Sequence, residues 1–270
     1  MKEKIIDILS EELMKANVFI CKDVEKEIAK YNGVFSNELK ENTLISKKKG
    51  LPLCQDTGIV EFFVFFPKNI NIDFDFNQAL NESVIRTYEK NPFRYSTVKE
   101  PLFERKNMKN NSPSIIHYFF HDEKYIEIRF LIKGGGSENL SILNMFNPSV
   151  DSNDIKKFII EHIKNNGVRG CPPLNVGIGI GGTSDKALIL SKLALTEEFN
   201  FRNPDKNYAQ LETELIKELN NLNIGFQALG EGISVYNVHI KEYSTHIATL
   251  PLAISIDCYL SRKGRVKIEL

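Results

Sequence analysis

The sequence predicts a mixed α/β (α+β) protein, a single compact unit of mixed sheets covered by helices. Three observations predict it. Some segments carry apolar residues at helical spacing, while others run apolar or alternate as strands do. The two kinds of segment are interleaved along the chain rather than sorted into halves. The 270 residues, 42% hydrophobic and 26% charged, are enough for a substantial core. No repeat or low-complexity linker divides the chain, so 1–270 reads as one domain with a mainly helical part at about 1–50.

In order, residues 1–50 read as helical, with Ile5, Ile6, Ile8, Leu9, Leu13 and Met14 forming an apolar stripe and "KKKG" closing the segment near Gly50. Residues 59–66, "IVEFFVFF", read as a strand too apolar for exposure. A helix follows at 76–91, stopped by Pro92. Residues 93–113 lack a period and read as a long ordered loop. Strands at 114–120 and 125–132 read as a hairpin joined through His121–Lys124. The glycines 134–136 break the second strand. A helix at 151–166 ends at Gly167, read as a left-handed cap. Helices at 185–196 and about 205–221 precede two strands, "ISVYNVHIKEY" and "LAISIDCYL".

Composition narrows the function. Thirty-five basic and 35 acidic residues balance to zero, which argues against nucleic acid, and the cations of Arg262–Lys267 read as a solvated C-terminus. No apolar run reaches the roughly 18–20 residues of a membrane span. The N-terminal stripe is interrupted by Asp and Glu, unlike a signal core. The expected compartment is therefore the reducing cytoplasm, where Cys21, Cys54, Cys171 and Cys258 are inert thiols, nucleophiles or metal ligands rather than disulfides.

Cys54 opens "CQDTG", Cys171 sits in "RGCPP" and Cys258 ends "LAISIDC", each at the edge of an apolar segment. They are more than eighty residues apart, so no CxxC signature marks them. Two readings stand: ordinary buried cysteines, or three thiolates converging on an iron–sulfur cluster with one iron open to substrate. Cys21, inside a helical pattern, fits the first. In "LIKGGGSENLS", three glycines with Lys133 and Ser137 form either a flexible turn or a backbone N–H nest for a carboxylate or phosphate. The stretch Gly177–Gly182 satisfies GxGxxG before a helix, with Glu197 and Glu198 about twenty residues on. Only three residues separate Pro173 from its first glycine, so a glycine-lined strand approached by another backbone or a cluster is the alternative to nucleotide binding. His117, His121, His162 and His239 read as structural, whereas His246 lies ahead of a strand in "THIATLP".

Together "LPLCQDTG", "KGGGSEN", "GCPPLNVGIGIGGT" and "THIATLPLAISIDC" resemble, in content and order, the α subunit of class I iron–sulfur fumarate hydratases and L-tartrate dehydratases. The resemblance runs from about residue 10 to 262. It implies a hydro-lyase interconverting fumarate and malate, or alternatively converting tartrate to oxaloacetate. It implies a [4Fe–4S] cluster on Cys54, Cys171 and Cys258 with one iron not ligated by protein. Gln55, Arg94, Gly135, Ser137 and His246 would bind substrate, and Asp56 and His246 would take part in catalysis. Longer family members carry a second domain with no equivalent before Leu270. The resemblance thus implies a separate β subunit that supplies the abstracting base, in an expected α2β2 assembly. A nucleotide-binding oxidoreductase and a non-catalytic iron–sulfur sensing subunit are the other two readings.

Overall fold

A computed structural model describes residues 1–269. Its helices are α1 (Lys2–Val18), α2 (Lys22–Lys30), α3 (Ser36–Lys49), α4 (Phe76–Lys90), α5 (Gly135–Glu138), α6 (Ser152–Asn166), α7 (Ser184–Leu195) and α8 (Lys206–Asn220). Its strands are β1 (Ile59–Pro67), β2 (Ile115–His121), β3 (Tyr125–Lys133), β4 (Ile142–Phe146), β5 (Leu174–Gly181), β6 (Val235–Tyr243), β7 (Leu250–Asp257) and β8 (Lys263–Glu269). The class is mixed α/β with two mixed sheets. The chain forms two compact units, one built from Met1–Ile28, Asn37–Gly135 and the residues from Arg262 on, the other from Ala29–Ser36 and Gly136–Ser261.

The first unit holds the sheet β2-β1-β3-β8. Ile5, Leu9 and Leu13 on α1, and Phe76, Leu80, Val84 and Tyr88 on α4, recur every fourth residue and bury one stripe of each helix against it. Asp75 caps α4 by accepting from the Gln78 N–H. The 114–120 and 125–132 segments are strands, but not a hairpin: β1 lies between them, parallel to β2 and antiparallel to β3. Burial explains this order. β1 is buried along most of its length and needs a partner on each edge, whereas β2, alternately exposed, tolerates an edge position. The segment Arg262–Lys267 is likewise not a solvated tail. β8 pairs antiparallel with β3 and sends Val266 and Ile268 into the core, leaving its cations on the other face.

The second unit holds the sheet β4-β7-β5-β6, with β5 and β6 parallel and the other pairs antiparallel. α6 begins with a capping box between Asp151 and Asp154. It does not end in a left-handed glycine: Gly167 is right-handed, with φ −57° and ψ −32°, and continues into a 3-10 turn. A Cβ at Gly167 would meet Ile224, Ile163 and Leu174 within 3.3 Å, so close packing is what requires the glycine. The left-handed residue is Cys171, at φ 54° and ψ 67°.

Gly177 and Gly179 lie inside the fully buried β5. A Cβ there would stand 2.1 Å from the Ser191 carbonyl oxygen and 2.0 Å from that of Ala187, both on α7. The glycines let a helix lie directly on the strand. The turn that a dinucleotide fingerprint places at its first glycine is absent, since the strand contains that residue.

Candidate active site

In the first unit the loop from Cys54 to Gly58 is fastened on both sides, at Leu53 and at Asp56–Gly58. The Leu53 N–H donates to the Asn17 carbonyl at 2.8 Å, and the Asn42 side chain donates to the Leu53 carbonyl at 3.0 Å. Thr57 Oγ1 donates to the Arg94 carbonyl at 2.6 Å, and the buried Tyr88 hydroxyl donates to the Thr57 carbonyl. Asn111 Nδ2 donates to the Gly58 carbonyl at 3.0 Å. Burial, the dominant cause, pushes the Tyr88 phenol up to about 12, against a smaller opposing pull from Arg262. Cys54 and Asp56 are half-buried on this loop, while Gln55 and Arg94 are exposed.

Asp56 uses both carboxylate oxygens. Oδ1 accepts the Gly58 N–H at 3.0 Å, and Oδ2 accepts the Gly135 N–H at 2.8 Å. The backbone donor expected at Gly135 therefore exists, and in this structure it holds the protein's own carboxylate. Each oxygen keeps a lone pair, so Asp56 remains a fixed acceptor for a further hydrogen bond.

In the second unit Cys171 and Cys258 come together across 87 residues of sequence. Cys171 precedes β5 and Cys258 follows the antiparallel β7, and the Tyr259 N–H donates to the Cys171 carbonyl at 3.0 Å. Cys171 is exposed and Cys258 half-buried. Gly136 abuts the Arg169 carbonyl, since a Cβ on it would lie 3.5 Å away, so the buried Ser137 follows a turn at this same end. None of the four cysteines forms a disulfide. Burial raises the Cys21 thiol, which keeps that residue an inert thiol in helical surroundings. Cys54, Cys171 and Cys258 lie at loops and strand ends rather than in a core, and each is a soft donor of the kind an iron–sulfur cluster uses. Among the described residues no three His, Cys, Asp or Glu side chains converge as a single metal ion requires.

His246 is not with these cysteines. It precedes β7 and Cys258 follows it, which sets them about 25 Å apart along an eight-residue strand. It lines a cavity of about 630 Å³ with Lys186, Tyr243, Thr245 and Thr249. Its Nδ1 accepts the Ala248 N–H at 3.1 Å, which leaves the ring proton on Nε2. Of the other histidines, His117 Nε2 lies 3.0 Å from Glu61 in the first sheet, and His162 Nε2 lies 2.8 Å from the Leu140 carbonyl. Sequence reasoning missed Tyr88 and Arg262, both buried beneath the Cys54–Gly58 loop. Only the proximity of Arg262 to Cys258 in sequence hinted at either.

No helix among the described residues is long and apolar enough to cross a membrane. Residues 4–267 match the model of the fumarate hydratase (Fumerase) family. A Methanocaldococcus jannaschii protein, provisionally named as the L(+)-tartrate dehydratase subunit alpha, is 38% identical over 282 residues, covering 99% of this chain and 98% of its own. The L(+)-tartrate dehydratase subunit alpha of Escherichia coli K12 is 30% identical over 243 residues, covering 88% of this chain and 78% of its own. The chain belongs to the fumarate hydratase family.

Proposed function

We propose that the chain is the cluster-bearing alpha subunit of a hydro-lyase that reversibly hydrates fumarate to malate, working with a separate beta subunit in the cytoplasm. The observation that carries this reading is the meeting of Cys171 and Cys258 at one end of the second sheet, in a chain whose family is one of hydro-lyases. A second reading, conversion of L-tartrate to oxaloacetate, is favoured by the names of the relatives at 38% and 30% identity.

Eliminating water from a hydroxy dicarboxylate requires neutralising two carboxylates, assisting a departing hydroxyl and removing a C–H proton. In this reading Cys54, Cys171 and Cys258 hold a [4Fe–4S] cluster, which supplies Lewis acidity when bound. The exposed Arg94 guanidinium can hold a carboxylate through charge-assisted hydrogen bonds. Gln55 offers amide donors and Ser137 a hydroxyl. Asp56, clamped between the Gly58 and Gly135 N–H groups, is oriented to accept a proton or hydrogen bond from the substrate hydroxyl. Because Gly135 already serves Asp56, a carboxylate takes that donor only in exchange for Asp56. His246 offers its Nε2–H in a separate cavity at the other end of β7 and takes no part in this constellation, and the abstracting base belongs to the beta subunit.

The test is anaerobic reconstitution followed by iron and sulfide analysis, then assays of fumarate and L-tartrate with the beta chain added. About four irons per chain, with turnover of one dicarboxylate, is the expected result. Protein that takes up no iron, and whose triple Cys54, Cys171 and Cys258→Ser variant behaves as wild type, would overturn the reading. A cluster-loaded complex with no turnover would leave the sensing subunit in its place.

A further inference from the structure

Arg262 is 3% exposed and immediately precedes β8. Its backbone carbonyl accepts the Ile132 N–H at 2.9 Å, which fixes its Cα at the end of β3, beside Gly134. Its Nη1 donates to Asn17 Oδ1 at 2.9 Å, and its Nε is buried with no hydrogen-bond partner. A buried guanidinium with one neutral partner and an unmet N–H is costly, so its retention calls for an anion nearby. The geometry supplies one. A Cβ placed on Gly134 would lie 3.0 Å from Asp56 Oδ2 and 3.7 Å from Arg262 Nη2. Carboxylate and guanidinium thus both lie against Gly134, near enough for their charges to act on each other without a direct ion pair.

Arg262 also reaches the other end of the same loop. Asn17, which takes its hydrogen bond, is wholly buried and accepts the Leu53 N–H, the residue before Cys54. One cation therefore steadies both sides of Cys54–Asp56, through Asn17 in front and by charge across Gly134 behind.

We propose that Arg262 is a positioning residue that keeps Asp56 docked on the Gly135 N–H, and so sets where the hydro-lyase presents this carboxylate to a hydroxy dicarboxylate. The inference rests on the functional reading of Asp56. Its first test is made independent of turnover by using the full chain without its cluster. The Gly135 amide, donating to a carboxylate, resonates downfield in a nitrogen-15 spectrum, and D56N supplies the undocked reference.

In R262Q the Gly135 resonance moves most of the way to its D56N position. In R262K, which keeps the charge but loses the fork, the move is partial, and in G134A the added methyl crowds Oδ2 and displaces it too. In the assembled enzyme R262Q lowers kcat by about 10- to 100-fold, the scale expected when a reacting group is misplaced, with a smaller change in KM. R262K recovers part of the loss. Should R262Q not fold, R262K and G134A read the same resonance. A Gly135 amide that stays put in every folded variant, with only the melting temperature reduced, overturns the proposal and leaves Arg262 a structural pin. Wild-type enzyme without turnover would defeat the hydro-lyase reading while leaving the amide result interpretable.

Discussion

Tyr88 shows how a single buried group couples the loop to the solution. Its hydroxyl donates to the Thr57 carbonyl and the residue is 1% exposed, which raises its ionisation from the ordinary 10.0 to about 12. A group whose pKa is higher folded than unfolded contributes stability that is complete below the unfolded value and lost as pH rises through the folded one. Between pH 10 and about 12 the protein should therefore lose roughly 2–3 kcal/mol, because each pH unit separating the two values is worth about 1.36 kcal/mol. Y88F should cost about 1–3 kcal/mol at neutral pH by stranding a buried carbonyl, and should abolish that alkaline decline. Denaturant melts of both proteins from pH 8 to 12 check it, and parallel curves above pH 10 would refute it. Residues of this kind were not legible in the sequence. Cys54, Asp56 and Cys171 stood out because cysteine, carboxylate and turn residues cluster at the ends of apolar segments. Tyr88 sits mid-helix in an ordinary stripe, and Arg262 sits among other cations, where nothing distinguishes a buried charge from a solvated one.

Elements were legible where their pattern was local. β1, α4, α6, α7 and α8 emerged within a residue or two of their observed bounds because apolar period and end signals agree there. β4 is five residues long with a central asparagine, and β8 carries three cations, so pairing alone makes them strands. The glycines of β5 were ambiguous because GxGxxG suits both a phosphate turn and a close helix contact, and only the backbone of α7 separates the two. That contact is itself testable. G179A must drive Cβ against the Ala187 carbonyl, so it should cost about 1–3 kcal/mol or more through overpacking. Alanine at exposed Gly136, nearest atom 3.5 Å away, should cost far less. Equal melting temperatures for the two would refute the assignment. The 93–113 loop carries a further device. The Glu100 carboxylate accepts the Leu102, Phe103 and Glu104 N–H groups at 2.7, 2.5 and 2.8 Å, and the Leu102 hydrogen bond is the largest cause holding its pKa below the ordinary 4.5. A depressed pKa means the turn is fully favoured above pH 4.5 and loosens only as pH falls through the lower folded value. Amide exchange at 102–104 should be slow down to pH 4.5 and should accelerate in E100Q at pH 7. Unchanged exchange in E100Q would dismiss the staple.

At the scale of the molecule, each unit has its own apolar cluster, and Cys54, Cys171 and Cys258 belong to neither. The apolar groups that stabilise the fold are thus distinct from the thiolates proposed to hold the cluster, in contrast to small metal domains whose folding energy is the metal's binding energy. Loss of iron should accordingly remove activity while sparing the fold. An iron without a protein ligand is open to oxidants, so brief air exposure should take anaerobically prepared enzyme from about four irons per chain to about three, with activity falling in step. The far-UV circular dichroism and melting temperature should stay near their starting values, and ferrous iron with a thiol reductant should restore turnover. The C258S variant should bind less iron from the outset yet melt within a few degrees of wild type, since Cys258 is half-buried at a strand end and fills no core position. Cooperative unfolding on iron removal would mean that the metal organises one of the cores. Full activity kept for hours in air without reductant would mean that every iron is protected, and the open-cluster reading would fail with it.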